Sequence, residues 1–249
     1  MRELAANEVQ VWRVPLAEPT DRIALRLEPL SLEERARADR FLRPADRRRF
    51  VMAHVALREI LGAYLGQDPA RLAFVAGSHG KPALAAGSGS WLRFNLSHSH
   101  EMALIACARE CEVGADIEWM RDDVECAEIV ERFFSPAERS EWRALPPLVR
   151  REAFFHGWAR KEAYVKALGE GLAHPSEAYT VRLAAGQPAA LLGDTARPGA
   201  ESAWSLASVA VPAGYAAAVA SAGPPVPVVV CEHPGKISDF DWKPASVAR

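Results

Sequence analysis

A chain of 249 residues with 49% apolar and 25% charged residues can bury one large core or two smaller ones, and this balance excludes wholesale disorder and a membrane-embedded body. The formal net charge of −2 is not that of a globally basic nucleic-acid binder, yet Arg35, Arg37, Arg40, Arg43, Arg47, Arg48 and Arg49 crowd one segment with only Asp39 and Asp46 among them. That segment is a local anion-facing patch, which fits a small polyanion at least as well as a nucleic acid. No apolar run reaches the length of about eighteen residues that spans a bilayer, and Met1-Arg2-Glu3-Leu4 lacks a secretory layout, so a cytoplasmic protein with no membrane partner is expected. Cys107, Cys111, Cys126 and Cys231 form no CxxC and read as ordinary thiols.

In chain order, Val9 to Val14 reads as a first strand, and the capping box Ser31-Leu32-Glu33-Glu34 opens a helix running toward Arg43. A second helix from Asp46 to Leu65 carries Phe50, His54, Leu57 and Leu61 at near-helical spacing, with Arg47, Arg48 and Arg49 in its first turn. Strands are expected at Arg71 to Val75 and Leu92 to Leu96, with a flexible loop over Ala85 to Ser90 between them. Met102 to Ala108 and Val113 to Glu118 continue the strands, joined by turns at Ser97 to Glu101 and Arg109 to Glu112.

From Asp123 the pattern turns helical through Phe133, and Ser135-Pro136-Ala137-Glu138 is a second capping box with proline at the first helical position. A long helix covers Arg150 to Leu168, and short strands follow at Tyr179 to Leu183, Trp204 to Val211 and Ala216 to Ala220. The expected fold class is α+β, built from two similar subdomains at 1–111 and 112–222. The proline-rich tail 223–249 is expected to be extended and peripheral.

Period-two alternation puts Asp116 and Glu118 on one strand face while Ile117 points to the core. Two such acids either decorate a solvated strand end or hold a hard cation such as Mg²⁺, which keeps waters and adds phosphate oxygens. Within Trp158-Ala159-Arg160-Lys161-Glu162-Ala163-Tyr164-Val165-Lys166, the residues Phe154, Trp158, Val165 and Leu168 share a helix arc with Lys161 in its middle and Glu162 on its flank. A long lysine can snorkel from such a face but a glutamate cannot, which points to a wet, charged groove beside the helix. Glu162 and Lys166, four apart, also make an ordinary helix ion pair of about 0.3 to 0.5 kcal/mol. Gly80-Lys81-Pro82 is a stiff turn but not a Walker loop, and Phe94-Asn95-Leu96-Ser97-His98-Ser99-His100 ends in a polar turn able to meet phosphate.

The Arg-rich helix start, GKP, FNLSHS, GADIE and WARKEAYVK occur in this order, with Phe133-Phe134-Ser135-Pro136-Ala137-Glu138 between the last two. Over Arg35 to His174 this succession resembles the 4′-phosphopantetheinyl transferases, specifically the single-chain type activating surfactin synthetase. The resemblance implies two α/β subdomains related by a pseudo-twofold, each a small antiparallel sheet packed on a long helix. The implied reaction transfers the phosphopantetheine arm of coenzyme A to a serine of an apo acyl or peptidyl carrier protein, releasing adenosine 3′,5′-bisphosphate.

By the same resemblance Asp116, Glu118 and Glu162 are the ligands of Mg²⁺ or Mn²⁺. Glu162 or a metal-bound water takes the serine proton, Lys166 meets the pyrophosphate, and Lys161 completes the catalytic set by holding the acid site together. Coenzyme A is expected on Arg37, Arg49, Gly80, Lys81, Pro82, Ala83, Asn95, Ser97, His98, Asp116 and Lys166. Trp119, Met120 and Val124 with nearby arginines are a candidate surface for the acidic carrier, and a monomer is expected. The alternative, a nucleic-acid-binding module on the Arg35 to Arg49 patch, leaves the three acids unexplained. Ala115, Arg160 and the tail after Gly223 depart from the family pattern without touching the acids.

Overall fold

Two helices of 22 residues each, one per half of the chain, lie over two small sheets in the computed structural model. The structure describes residues 2–17, 23, 26–77, 79–85, 87, 89–184 and 186–234. The first half comprises β1 (Val9–Pro15), α1 (Leu32–Ala38), α2 (Pro44–Leu65), β2 (Phe74–Ala76), β3 (Pro82–Leu84), β4 (Leu92–Ser99) and β5 (Met102–Arg109). The second comprises β6 (Val113–Trp119), α3 (Cys126–Phe133), α4 (Pro136–Ala144), α5 (Pro147–Leu168), β7 (Tyr179–Val181), β8 (Leu191–Asp194), α6 (Ala200–Ala203), β9 (Trp204–Ser208), β10 (Tyr215–Ala222) and β11 (Val228–Glu232).

The strands sort their side chains by parity. In β5, Ala103, Ile105 and Cys107 pack under α2, whereas Leu104, Ala106 and Ala108 face a separate core. In β10, Ala216, Ala218 and Ala220 pack under α5, whereas Ala217 and Val219 face that same separate core. Strands buried on both faces explain why MALIACA and AAAVA are nearly unbroken apolar runs. The result is four layers, α2 over one sheet and α5 over the other, with a shared apolar seam between the sheets.

The first sheet has the order β11-β1-β5-β4 and the second β6-β10-β9. The second is antiparallel throughout, as expected, but the first is mixed because β11 runs parallel to β1, with Val9 opposite Val228 and Arg13 opposite Glu232. Residues 228–232 of the tail therefore run extended along the edge of the first sheet, paired with β1. The tail's remainder, 235–249, lies outside the described residues.

Other differences have local causes. The helix opened by Ser31 stops at Ala38, and α2 starts at Pro44, a residue that cannot continue an earlier helix but suits a first turn. Residues Pro69–Arg71 form a 3₁₀ turn, so the strand expected from Arg71 begins at Phe74. Helix α5 starts earlier, at Pro147, and β9 ends at Ser208. Strand β4 continues through Ser97 and His98, leaving a tight turn with His100 at φ 51°.

Helix α5 lies so close to β6 that a Cβ at Gly114 would come within 2.2 Å of both the Ala163 carbonyl oxygen and the Ala167 nitrogen. Only glycine permits that approach. It brings the helix bearing Glu162 and Lys166 onto the strand bearing Asp116 and Glu118.

Candidate functional site

Asp116 and Glu118 share the α5 face of β6, while Ile117 is buried in the seam. Lys166 extends from α5 and its Nζ donates to Asp116 Oδ1 at 2.5 Å and to Ser97 Oγ at 3.0 Å. The expected ion pair along the helix, Glu162 with Lys166, gives way to this pair across to the strand. Asp116 Oδ2 is buried with no hydrogen-bond partner among the described residues. Such an orphaned carboxylate oxygen costs roughly 1 to 3 kcal/mol unless something cationic meets it.

Burial and then the neighbouring Asp116 charge push Glu118 up to about 7, and the same two causes raise Glu162. Burial also raises Asp116 despite the ammonium beside it. Burial opposes the charge on Lys166, but Asp116, Glu162 and Glu118 together lift its pKa. Three carboxylates thus share one lysine, an excess of negative charge in a half-buried groove. Among the described residues no three acid, imidazole or thiol side chains are already converged on one point. Asp116, Glu118 and Glu162 are therefore not a ready-made three-ligand site, and a hard cation held there would need waters and substrate phosphates to complete its shell.

The FNLSHS strand has a role that its sequence did not disclose. Asn95 Oδ1 accepts from the Ala115 N–H at 2.9 Å, Ser97 Oγ donates to Asp116 Oδ1 at 2.9 Å, and Ser99 Oγ accepts from the Trp119 N–H at 3.0 Å. These alternate positions stitch β4 to β6 with side chains where the two strands share no backbone ladder. Asn95 and Ser97 are buried there; Ser97 holds Asp116, while Asn95 spends its Oδ1 on the seam and also borders the small cleft that reaches Lys166. The intervening His98 points to the other face and is exposed. Crowding by protein and then the charges of His54, Lys166, Arg49 and Arg37 lower its pKa, so these cations lie within electrostatic reach of the imidazole and form a loose cationic arc with it.

Lys161 does not join the acids. Its Nζ donates to both carboxylate oxygens of Glu138, at 2.8 and 3.1 Å, and to the Tyr179 carbonyl at 2.8 Å. It lies 4.1 Å from the Tyr179 ring centroid. Glu138 also accepts from the Ser135 and Val181 N–H groups. Both side chains are fully buried, and this pair binds α4, α5 and β7 together. The capping box revealed Glu138 as a cap, but its second partner lies 23 residues away and left no local signal.

At the other end of the groove, Lys81 donates to Glu112, the Val113 carbonyl and the Ala167 carbonyl, tying the β2–β3 hairpin to the end of α5. Gly80, Lys81 and Pro82 border a cleft of about 230 Å³ that reaches Lys166, and Lys81, Pro82 and Ala83 border a neighbouring one of about 560 Å³. Gly169 and Gly171 line the smaller cleft and were missed, although two glycines closing a helix are a visible sign. Arg37 is exposed and stacks over Phe50 at 5.1 Å. The rest of the arginine cluster is largely spent internally: Arg35 on the Leu30 and Glu28 carbonyls, Arg47 on Asp39, Arg48 and Arg49 on Glu101. Arg40 and Arg43 are exposed, so the segment offers a few separate cations beside arginines already paired within the chain.

Trp119 is 39% exposed and stacks on His100, with centroids 4.1 Å apart, whereas Met120 and Val124 pack partly against the second core. Among the described residues no helix is long and apolar enough to cross a membrane.

Residues 112–220 match the model of the 4′-phosphopantetheinyl transferase superfamily, and residues 18–110 match that of the 4′-phosphopantetheinyl transferase N-terminal region. HetI of Nostoc sp., named a 4′-phosphopantetheinyl transferase, is 40% identical over 88% of this chain and 90% of its own. The chain belongs to the 4′-phosphopantetheinyl transferases. Sfp of Bacillus subtilis, another named member of this family, is 30% identical over 80% of this transferase and 84% of itself. The holo-[acyl-carrier-protein] synthase of Thermotoga maritima superposes on 45% of the transferase and 62% of its own chain, with 24% identity and a TM-score of 0.34.

Proposed function

We propose that this transferase moves the 4′-phosphopantetheine arm of coenzyme A to a serine of an apo acyl or peptidyl carrier protein, with Mg²⁺ bound at Asp116, Glu118 and Glu162. The observation that carries the reading is the acid excess around Lys166, with Asp116 Oδ2 buried and without a partner among the described residues, beside a cleft bordered by both Lys166 and Lys81. A divalent cation there would supply Lewis-acid stabilisation of charge on the pyrophosphate. A monomer in the cytoplasm is the form we assign, since one chain supplies both the acidic and the cationic sides of the groove.

In the reaction the serine Oγ forms a bond to the phosphorus bearing the pantetheine arm. The bond from that phosphorus to the bridging oxygen breaks, and its electron pair leaves on adenosine 3′,5′-bisphosphate. Glu162 receives the serine proton, and its raised pKa makes it a stronger base than an ordinary carboxylate. Lys166, on the same helix face, neutralises charge on the departing phosphate. His98, Arg37 and Arg49 hold the nucleotide end.

Incubation with coenzyme A, Mg²⁺ and a panel of apo carrier proteins tests this by intact mass. The expected result is a carrier gaining one phosphopantetheine, and no gain on any carrier would overturn the reading.

A further inference from the structure

The tight turn between β4 and β5 places Glu101 three residues beyond His98, against the first turn of α2. Its Oε1 accepts from Arg48 Nη2 at 2.5 Å and from Arg49 Nε and Nη2 at 3.1 and 2.8 Å. Arg49 Nη1 is taken by Asp46 at 3.1 Å. All three nitrogens of Arg49 therefore meet carboxylates of its own chain, although Arg49 belongs to the cationic arc around His98. The clamp is also lopsided: Glu101 Oε2 and Arg48 Nε are buried without hydrogen-bond partners among the described residues. Three donors crowd one oxygen while its twin has none, so this contact forgoes the paired geometry that makes arginine–carboxylate forks strong.

We infer that Glu101 is the affinity-setting residue at the nucleotide end, an internal carboxylate that competes with the phosphates of coenzyme A for Arg49 and repels them. This rests on the assignment of Arg49 to coenzyme A above. When the binding-competent side chain is free for only a fraction of the time, apparent affinity falls by that fraction. A negative charge facing a polyanionic ligand lowers affinity further. The occupied arginines also bear on selectivity, because a ligand lacking the 3′-phosphate has less to gain from their release.

The test is calorimetric titration of coenzyme A and dephospho-coenzyme A into wild type and Glu101→Gln. Glutamine keeps the acceptor oxygen and removes the charge, and melting temperature reports whether the variant is folded. The expected result is a Kd for coenzyme A about threefold to tenfold lower in Glu101→Gln, a smaller gain for dephospho-coenzyme A, and a KM change exceeding any kcat change. Adding Arg49→Met should erase the gain. Unchanged or weaker binding, an equal gain for both ligands, or a gain that survives Arg49→Met would overturn the inference. Wild-type protein that neither binds nor transfers coenzyme A would instead refute the functional reading, which separates the two failures.

Discussion

Helix α5 carries two lysine–carboxylate pairs five residues apart, and they differ in how completely they are satisfied. In the Lys161–Glu138 pair every carboxylate oxygen has donors and the ammonium also meets a carbonyl and an aromatic face. In the Lys166–Asp116 pair one carboxylate oxygen has no partner and two further acids crowd the same lysine. A closed network stabilises one packing of the chain, whereas an open one leaves charge for a ligand to neutralise. On the proposed function, the closed pair is scaffold and the open pair belongs to the reacting site, both on a single helix.

Removing an acid from the open network should have the largest effect. Asp116→Ala and Glu162→Ala are each expected to lower transfer by about 10²- to 10⁴-fold at unchanged far-ultraviolet dichroism. Wild-type rates in both would dissolve the distinction. Breaking the closed network acts on folding instead. Lys161→Met leaves Glu138 buried and unpaired and should cost about 3 to 5 kcal/mol in denaturant unfolding. Adding Glu138→Leu should restore much of that loss.

Both networks show what sequence could and could not disclose. The spacing of Asp116 and Glu118 already placed them on one face, and the awkwardness of a glutamate at 162 pointed to a charged groove. Local spacing could not assign Lys161 to Glu138 or Asn95 to the Ala115 N–H, because these partners meet only after the elements pack. Strand β11 was hidden for the same reason: a parallel partner at the far end of the chain leaves no mark near Val228. The pairing of Arg48 and Arg49 with Glu101 was equally hidden, since that carboxylate lies about fifty residues downstream.

Glu118 gives a smaller, pH-dependent contrast. Its folded pKa of about 7 exceeds the ordinary carboxylate value, so between roughly pH 4.5 and 7 the folded protein binds the extra proton. Stability without divalent cation should therefore fall as pH rises across that interval. Glu118→Gln should flatten the fall and gain on the order of 1 kcal/mol at pH 8 while slowing transfer, which melting curves from pH 5 to 8 would check. Equal slopes in wild type and variant would mean that Glu118 is not held protonated by its neighbours. The smallest effect is expected at the seam, where Ser97→Ala removes the hydroxyl's hydrogen bonds to Asp116 and from Lys166 and should cost about 1 kcal/mol.

The most direct measurement is calorimetric titration of Mg²⁺ into protein saturated with coenzyme A, comparing wild type with the double variant Asp116→Asn, Glu162→Gln. The expected result is one saturable divalent site in wild type and none in the double variant. Equal affinity and heat in the two proteins would contradict the assignment of the open acid network to the reacting centre.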